Sequence, residues 1–185
     1  MNVEAVIDAS LEAPLVAWLK KNGTTLSVIQ NIADLSAKLS TQVIETSVAE
    51  SVSLEGPLHI GAGTILRHGA TISGPAIVGP NCVIGPNVSI ERFSYVGSEC
   101  KIGHSSYIKN SIILNGTIIG PGSYICNAVI GPCSIIGPHS IVGVHTPHEG
   151  VENELSKDQA AVSIPARHNI AAGSIVNFEI ERSPN

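Results

Sequence analysis

Histidine is the residue type in this chain best suited to proton transfer, because an imidazole can take up or release a proton near neutral pH. The sequence of 185 residues contains 7 histidines. His139 follows a Gly-Pro pair and is expected in a turn with its imidazole pointing outward. His145 and His148 open a polar segment and form a second candidate pair. His139 is therefore a candidate general base, and an ordinary turn histidine is the alternative.

The cysteines give no sign of a metal site. The sequence contains 4 cysteines, and no CxxC or other spacing typical of zinc ligands occurs. Cys82 and Cys100 are separated by one predicted 18-residue repeat, so we expect them to stack as small core side chains. A disulfide between them is the alternative. No metal is expected.

Composition excludes two classes of partner. The net charge is −5 and the estimated pI is about 5.7, so no basic surface favours nucleic acid or an anionic membrane. The longest apolar runs are too short to span a bilayer, and no secretory signal is evident. We expect a cytoplasmic protein in a reducing compartment.

The element that must position these side chains is a six-residue repeat. Aliphatic residues recur at every sixth position, as Val48, Leu54, Ile60, Leu66, Ile72, Val78, Ile84, Ile90, Val96, Ile102, Ile108 and Leu114. Neither a helix nor an alternating strand keeps that phase, whereas a hexapeptide β-solenoid does. Three hexads would close one coil of 18 residues, with seven Gly-Pro pairs supplying type II turns at its corners. Aromatic residues make up only 3% of the chain, which suits narrow, stacked coils.

Two segments depart from the repeat. Residues 1–46 carry helical spacing and predict two short helices that cap the first coil. Residues 47–180 form the predicted β-solenoid, with a loop insertion at about 145–160 that is either functional or a solvated excursion. After Leu114 the phase slips, with five-residue steps at 114–119 and 125–130. The pattern resumes for one further coil at Ile164, Ile170 and Val176.

Three motifs carry a resemblance to a known family. They are Glu55-Gly-Pro-Leu-His-Ile-Gly61, Ile77-Val-Gly-Pro-Asn-Cys-Val-Ile-Gly-Pro-Asn87 and Ile108-Lys-Asn-Ser-Ile-Ile-Leu-Asn-Gly-Thr117, followed by Ser123-Tyr124. The chain resembles the hexapeptide-repeat left-handed β-helix transferases, and more closely the C-terminal acetyltransferase half of bifunctional sugar-1-phosphate nucleotidylyltransferases. The resemblance implies a left-handed parallel β-helix, a homotrimer with sites between subunits, and acetyl-CoA or another acyl-CoA as co-substrate. The nucleotidylyltransferase half has no counterpart in these residues.

The resemblance also implies roles for individual residues. Lys109 and Tyr124 fall where the family binds its sugar phosphate and positions catalysis. Pro121 occupies the position of the family's catalytic histidine, and Ile135 that of an asparagine. A proline cannot act as a base, so a substitute is needed.

Counting repeats suggests that substitute and several contacts. Pairing Ile119 with Ile136 places His139 in the coil directly after Pro121, one residue offset. If the chain is the transferase that the resemblance implies, His139 or His145 would be the base and Arg167 in a late coil would contact CoA. The same counting stacks Tyr107 under Tyr124 and places Glu91 beside Lys109, where an ion pair is expected.

Three functional hypotheses from different classes follow. The first is an acyl-CoA-dependent acyltransferase acting on a sugar or sugar phosphate. The second is a catalytically silent trimeric module for assembly or regulation, suggested by Pro121 and Ile135. A third, a metal-dependent hydration enzyme, would require a triad of His104, His139 and His145, for which the spacing gives no support.

Overall fold

The computed structural model describes residues 43–44, 46, 48, 50–143 and 162–176 of the chain. Within them the backbone forms short β-strands, in chain order β1 Val43–Ile44, β2 Ser53–Glu55, β3 Leu58–Ile60, β4 Ile65–Leu66, β5 Thr71–Ser73, β6 Ala76–Val78, β7 Val83–Ile84, β8 Ser89–Ile90, β9 Ser94–Val96, β10 Lys101–Ile102, β11 Tyr107–Lys109, β12 Ile112–Ile113, β13 Ile118–Ile119, β14 Tyr124–Cys126, β15 Ala128–Ile130, β16 Ile135–Ile136, β17 Ile141–Gly143, β18 Val162–Ile164, β19 Asn169–Ile170 and β20 Ile175–Val176.

These strands form three parallel sheets that enclose one core. Sheet 1 has the order β1-β3-β6-β9-β12-β15-β18, sheet 2 the order β2-β5-β8-β11-β14-β17-β20, and sheet 3 the order β19-β16-β13-β10-β7-β4. The chain passes from sheet 1 to sheet 3 to sheet 2 and back to sheet 1, so each circuit is one coil. The predicted all-β solenoid is therefore confirmed, and the described residues contain no helix.

The aliphatic repeat forms the core because each strand points one of its aliphatic residues inward. Ile60, Ile72, Ile84 and Ile90 are fully buried in the shared hydrophobic cluster. Parallel pairing stacks each of them on its equivalent in the next coil, as with Ile72 on Ile90. Burial of these aliphatic columns is the main favourable contribution to folding.

The predicted phase slip occurs one corner earlier than the sequence suggested. Ile113, not Leu114, pairs with Val96 and Ile130 and enters the core. The prediction that Leu114 continues the core series is therefore wrong, and the five-residue step runs from Ile108 to Ile113. The second slip, from Ile125 to Ile130, is confirmed.

Coil length follows from these slips. Val83 pairs with Lys101, a full three hexads further along the chain, whereas Lys101 pairs with Ile118, one residue short of three hexads. Ile135 pairs with Asn169, so the additional residues after β17 are accommodated between neighbouring coils. The insertion, with His145 and His148, lies outside the described residues.

The predicted N-terminal helical cap also lies largely outside the described residues. Val43–Ile44, within the range 1–46, form strand β1 and pair with His59 and Ile60. Sheet 1 therefore begins before residue 47.

The corners have the predicted turn conformation. Asn81, Asn87 and Gly122 have φ values of 57°, 54° and 66°. Asparagine and glycine tolerate this left-handed backbone region better than other residues, which explains their place after the prolines.

The cysteines at one corner are free, as predicted. Cys82 and Cys100 are both fully buried and form no disulfide. The thiol of Cys82 donates to Gly97 O at 2.9 Å, and that of Cys100 donates to Leu114 O at 3.3 Å. Thr64 and Thr117 make the equivalent contacts in other coils through their hydroxyl groups. These side chains therefore link neighbouring coils as well as filling space.

Candidate active site on sheet 2 and its neighbouring corner

Two stacked tyrosines lie on the outer face of sheet 2. Tyr107 begins β11, Tyr124 begins β14, and the two residues are directly paired. Their ring centroids are 4.8 Å apart and the rings are inclined by 11°. The predicted stack is confirmed. It is bounded in the sheet by Ser89 on one side and Ile141 on the other.

An ion pair lies beside the tyrosines on the same face. Lys109 Nζ is 3.2 Å from Glu91 Oε2, as the coil spacing predicted. The two side chains are 37% and 33% exposed, so solvent screening leaves the pair only a small effect on stability. The ion pair matters more for ligand binding than for stability. The Glu91 carboxylate offsets the charge of Lys109 and restricts the positions of the Lys109 ammonium group.

Both tyrosines hold their protons more tightly than usual. Burial is the main cause that raises the pKa of Tyr107, followed by hydrogen bonding to the Glu91 carboxylate and by its charge. Burial also raises the pKa of Tyr124 to about 12, with a smaller contribution from Cys126. Both phenols are therefore neutral at physiological pH, and each hydroxyl oxygen keeps lone pairs that can accept a hydrogen bond from a ligand.

Cys126 is a member of this group that the sequence reasoning missed. It pairs with Lys109 across the sheet and is only 2% exposed. Burial raises the pKa of its thiol, while the Lys109 charge and a hydrogen bond from Tyr124 oppose that shift. A buried, protonated thiol is a poor nucleophile, so Cys126 is a packing residue here. Counting one shortened coil onward from Lys109 would have revealed it.

His139 occupies the corner between sheets 3 and 2, next to the tyrosine-bearing strands. It is exposed, has a φ of 56°, and its amide donates to Pro121 O at 2.9 Å. A β-carbon added to Gly122 would lie 2.5 Å from His139 Nδ1. The imidazole therefore lies over Gly122 of the preceding coil, next to Pro121. The predicted placement one coil after Pro121 is confirmed.

The candidate residues thus divide between two ends of the same strands. Tyr107 and Tyr124 are the first residues of β11 and β14, next to the corner of His139, and Lys109 is the last residue of β11. A strand rises about 3.3 Å per residue, so roughly 7 Å separates the tyrosine end from the lysine end. The structure brings Tyr124 and Lys109 onto one face, with His139 at its edge.

Arg167 lies at a different corner, between sheets 1 and 3. It is exposed, and its amide donates to Pro132 O at 2.9 Å. Within one chain it is therefore on another edge of the solenoid from His139. His145 lies outside the described residues, so its relation to the site stays a prediction.

The earlier histidines lie on the same edge as His139. His68 and His104 are exposed, and the carbonyl of His104 accepts a hydrogen bond from the Gly122 amide at 2.9 Å. Across residues 50–143 and 162–176, no three histidine, cysteine or acidic side chains are grouped to hold a metal ion. None of the described residues form a helix with the length and hydrophobicity needed to span a bilayer.

A comparison of the sequence with protein-family models identifies a known family. Residues 71–165, about half of the chain, match the model described as the GMPPB C-terminal domain. The chain belongs to the GMPPB C-terminal domain family. Its fold is accordingly the left-handed parallel β-helix that the family resemblance implied. No curated protein sequence matched the chain.

Several solved structures are similar to this chain at low sequence identity. A point mutant of AntD, an N-acyltransferase from Bacillus cereus, in complex with dTDP-4-amino-4,6-dideoxyglucose and coenzyme A, is 15% identical with a TM-score of 0.50, covering 71% of this chain and 80% of that one. A second mutant of AntD, in complex with dTDP and coenzyme A, is 18% identical with a TM-score of 0.49, covering 60% and 77%. A mutant of perosamine N-acetyltransferase from Caulobacter crescentus, in complex with CoA and GDP-perosamine, is 16% identical with a TM-score of 0.36, covering 77% and 60%.

Proposed function

We propose that this protein is an acyl-CoA-dependent acyltransferase that acts on a sugar or sugar phosphate. The observation that carries the proposal is the imidazole of His139, which leans over Gly122 at the corner next to Tyr124. The family match and the acyltransferases with a similar solenoid support the same class of activity.

The chemistry requires one base and one leaving group. The acceptor, an amine or hydroxyl, would be held by the Tyr124 hydroxyl and the Lys109–Glu91 pair. His139 would take its proton as the acceptor attacks the thioester carbonyl. A C–N or C–O bond forms, the C–S bond breaks, and His139 returns the proton to the CoA thiolate. Free CoA and the acylated sugar are the products.

A homotrimer would complete the site. Sheet 3 exposes an outward column in which Ile65, Ile118 and Ile135 are 49%, 40% and 44% exposed, with the exposed Lys101 between Val83 and Ile118. The corresponding outward residues of sheet 1 from His59 to Val129 are buried, so sheet 3 is the better candidate for subunit contact. Both edges of sheet 3 would then adjoin neighbouring subunits, with His139 on one edge and Arg167 on the other. Arg167 of one subunit could in this way meet the CoA phosphates near His139 of the next.

The test measures acyl transfer by the full-length chain. Acetyl-CoA is incubated with a panel of sugars, amino sugars and sugar phosphates, and acetylated products are detected by mass spectrometry. Loss of a general base typically costs 10²–10⁴-fold, so His139→Ala should lower the rate at least about 100-fold. His68→Ala is the matched control because His68 lies on the same edge several coils away. A full rate in His139→Ala would overturn the assignment.

A catalytically silent trimeric module is the second candidate. Pro121 favours it, because a proline stands at the family's catalytic position. The Lys109–Glu91 ion pair also favours it, since a lysine already paired with a carboxylate is less free to bind a phosphate. This candidate predicts a stable trimer that neither binds acyl-CoA nor transfers acyl groups. Transfer that disappears in His139→Ala would rule it out.

A further inference from the structure

The outer face of sheet 2 carries more negative than positive charge. Outward-facing residues at the ends of its strands include Glu55 and Lys109, and Glu91 directly follows β8. The outward residues at the beginnings of these strands are uncharged: Ser53, Thr71, Ser89, Tyr107, Tyr124, Ile141 and Ile175. Among the described residues of this face, Lys109 is therefore the only cation and Glu91 already contacts it.

One face of the tyrosine stack meets only a short side chain. Tyr124 covers one side of the Tyr107 ring, and Ser89 is the neighbour in the sheet on the other side. A serine side chain ends at Oγ and cannot cover a phenol ring, so the outer part of this ring face is available for stacking. Ser89 and Glu91 lie beside it, and Thr71, which is paired with Ser89, lies one strand further along the sheet. We call Tyr107, Ser89, Thr71 and Glu91 the tyrosine ledge.

We infer that the tyrosine ledge binds a hydroxyl-bearing ring without an anionic group, and that Glu91 makes this selection by neutralising Lys109. The inference rests on the proposed function and adds a contact for its acceptor: the ledge lies on the side of Tyr107 away from Tyr124, so it would hold an uncharged sugar ring of the acceptor while Tyr124 holds the reacting group. Sugars offer an apolar C–H face for the Tyr107 ring and hydroxyls for the surrounding serine, threonine and glutamate groups.

The electrostatics of the pair explain why a phosphate would be disfavoured. A phosphate that reached Lys109 would have to displace the Glu91 carboxylate or share the ammonium group with it. A phosphate and the Glu91 carboxylate that share one ammonium group repel each other. No second cation among the described residues of this face offsets that repulsion. A hydroxyl group, in contrast, can donate to Glu91 while Lys109 stays in place. The protonated tyrosines add polar groups without adding charge.

The test compares equilibrium binding of two matched probes to the full-length chain without acyl-CoA. Methyl glucoside and glucose 1-phosphate are titrated separately, with binding followed by ligand-observed NMR. The unmodified chain should bind methyl glucoside at least about tenfold more tightly than glucose 1-phosphate. Glu91→Gln keeps the size of the side chain but frees Lys109, and it should improve glucose 1-phosphate binding about tenfold.

Two further variants locate the effect. Glu55→Gln is the matched control, because it removes one negative charge from the outer face of sheet 2 at a distance from the tyrosine ledge. It should not change the preference for methyl glucoside over glucose 1-phosphate. Tyr107→Ala should weaken methyl glucoside binding about tenfold, because it removes the stacking surface. Tighter binding of glucose 1-phosphate by the unmodified chain would overturn the inference. The inference would also be overturned if methyl glucoside did not bind to the unmodified chain, or if Glu91→Gln left the preference between the two probes unchanged.

This experiment separates the inference from the proposed function. A chain that shows the predicted preference but transfers no acyl group would support sugar binding at the tyrosine ledge and contradict the proposed acyltransferase activity. An active enzyme that prefers glucose 1-phosphate would contradict the ledge alone.

Discussion

At the scale of single residues, small polar side chains at the corners decide how well successive coils are joined. Ser111 donates its hydroxyl to Lys109 O at 2.7 Å and accepts the Ala128 amide at 3.3 Å. Ser94 lies one coil below it and is fully buried, yet its Oγ has no hydrogen-bond partner among the described residues. A buried hydroxyl that makes no hydrogen bond has lost its contact with water without compensation.

We therefore expect Ser94→Ala to stabilise the protein by about 1 kcal/mol, because it removes an uncompensated hydroxyl. Ser111→Ala is the matched control and should destabilise by about 1–2 kcal/mol, since it leaves the Ala128 amide without its acceptor. Urea unfolding of both variants measures the difference. A loss of stability in Ser94→Ala equal to that in Ser111→Ala would show that both hydroxyls are bonded.

Residue contacts could be predicted where they depend only on coil length. Counting one full coil correctly paired Glu91 with Lys109, and counting one shortened coil correctly paired Tyr107 with Tyr124. The orientation of the His139 ring could not be obtained in this way. It depends on a positive φ at His139 and on the missing β-carbon of Gly122, two facts that concern different coils.

At the scale of elements, the corner between sheets 2 and 1 is where the solenoid changes. Four residues, 91–94, separate Ile90 from Tyr95, whereas three, 109–111, separate their partners Ile108 and Ile112. Asn110 and Asn127 make the shortened turns with φ values of 48° and 51°, and their side-chain amides are joined by a hydrogen bond of 3.2 Å. The insertion after Gly143 arises at this same corner.

The shortened corner explains why the sequence misplaced the phase slip. Ile112, Ile113 and Leu114 are consecutive aliphatic residues, so each fits an inward position equally well on hydrophobicity alone. The choice is made by Asn110, whose left-handed conformation turns the chain one residue sooner. Hexad counting has no means of detecting that turn.

Gly143, the last residue of β17, should tolerate no side chain. Its φ is 97°, and an added β-carbon would lie directly against Cys126 O. We expect Gly143→Ala to destabilise the protein by about 3 kcal/mol or more, because backbone of the neighbouring coil must move. Thermal or urea unfolding measures the loss.

Gly173 provides the matched control for that variant. Its φ is 69°, but an added β-carbon would have nothing within 4 Å. Gly173→Ala should therefore cost only about 1 kcal/mol, from the left-handed conformation alone. Equal losses in the two variants would mean that conformation, and not the close approach to Cys126, determines the cost at Gly143.

At the scale of the whole molecule, the three faces of the solenoid differ in kind. Five outward residues of sheet 1 are buried, namely His59, Ile77, Tyr95, Ile112 and Val129, and Ser163 in the last coil is exposed. Sheet 2 presents tyrosines and an ion pair, and sheet 3 presents exposed isoleucines. The hexad repeat predicted the solenoid itself, because inward residues have a fixed period. Outward columns have no such period, so the differences between faces emerge only when the coils are stacked.

We expect a homotrimer that depends on sheet 3. Light scattering should give three times the 19.2 kDa mass of one chain. The double variant Ile118→Glu, Ile135→Glu should lower that mass to one chain, because burying two carboxylates at an apolar contact is costly. Ile175→Glu is the matched control, since Ile175 is 68% exposed on sheet 2. A variant that stays trimeric would place the subunit contact on another face.

The most direct test of the proposed activity is calorimetric titration of the full-length chain with acetyl-CoA, because it requires no knowledge of the acceptor. The proposal predicts saturable binding with one acetyl-CoA per chain and a Kd below about 1 mM, the usual upper range for substrates. Arg167→Ala should weaken this binding, while His68→Ala should not. No heat of binding at millimolar acetyl-CoA would contradict the acyltransferase and leave the silent module as the account of this solenoid.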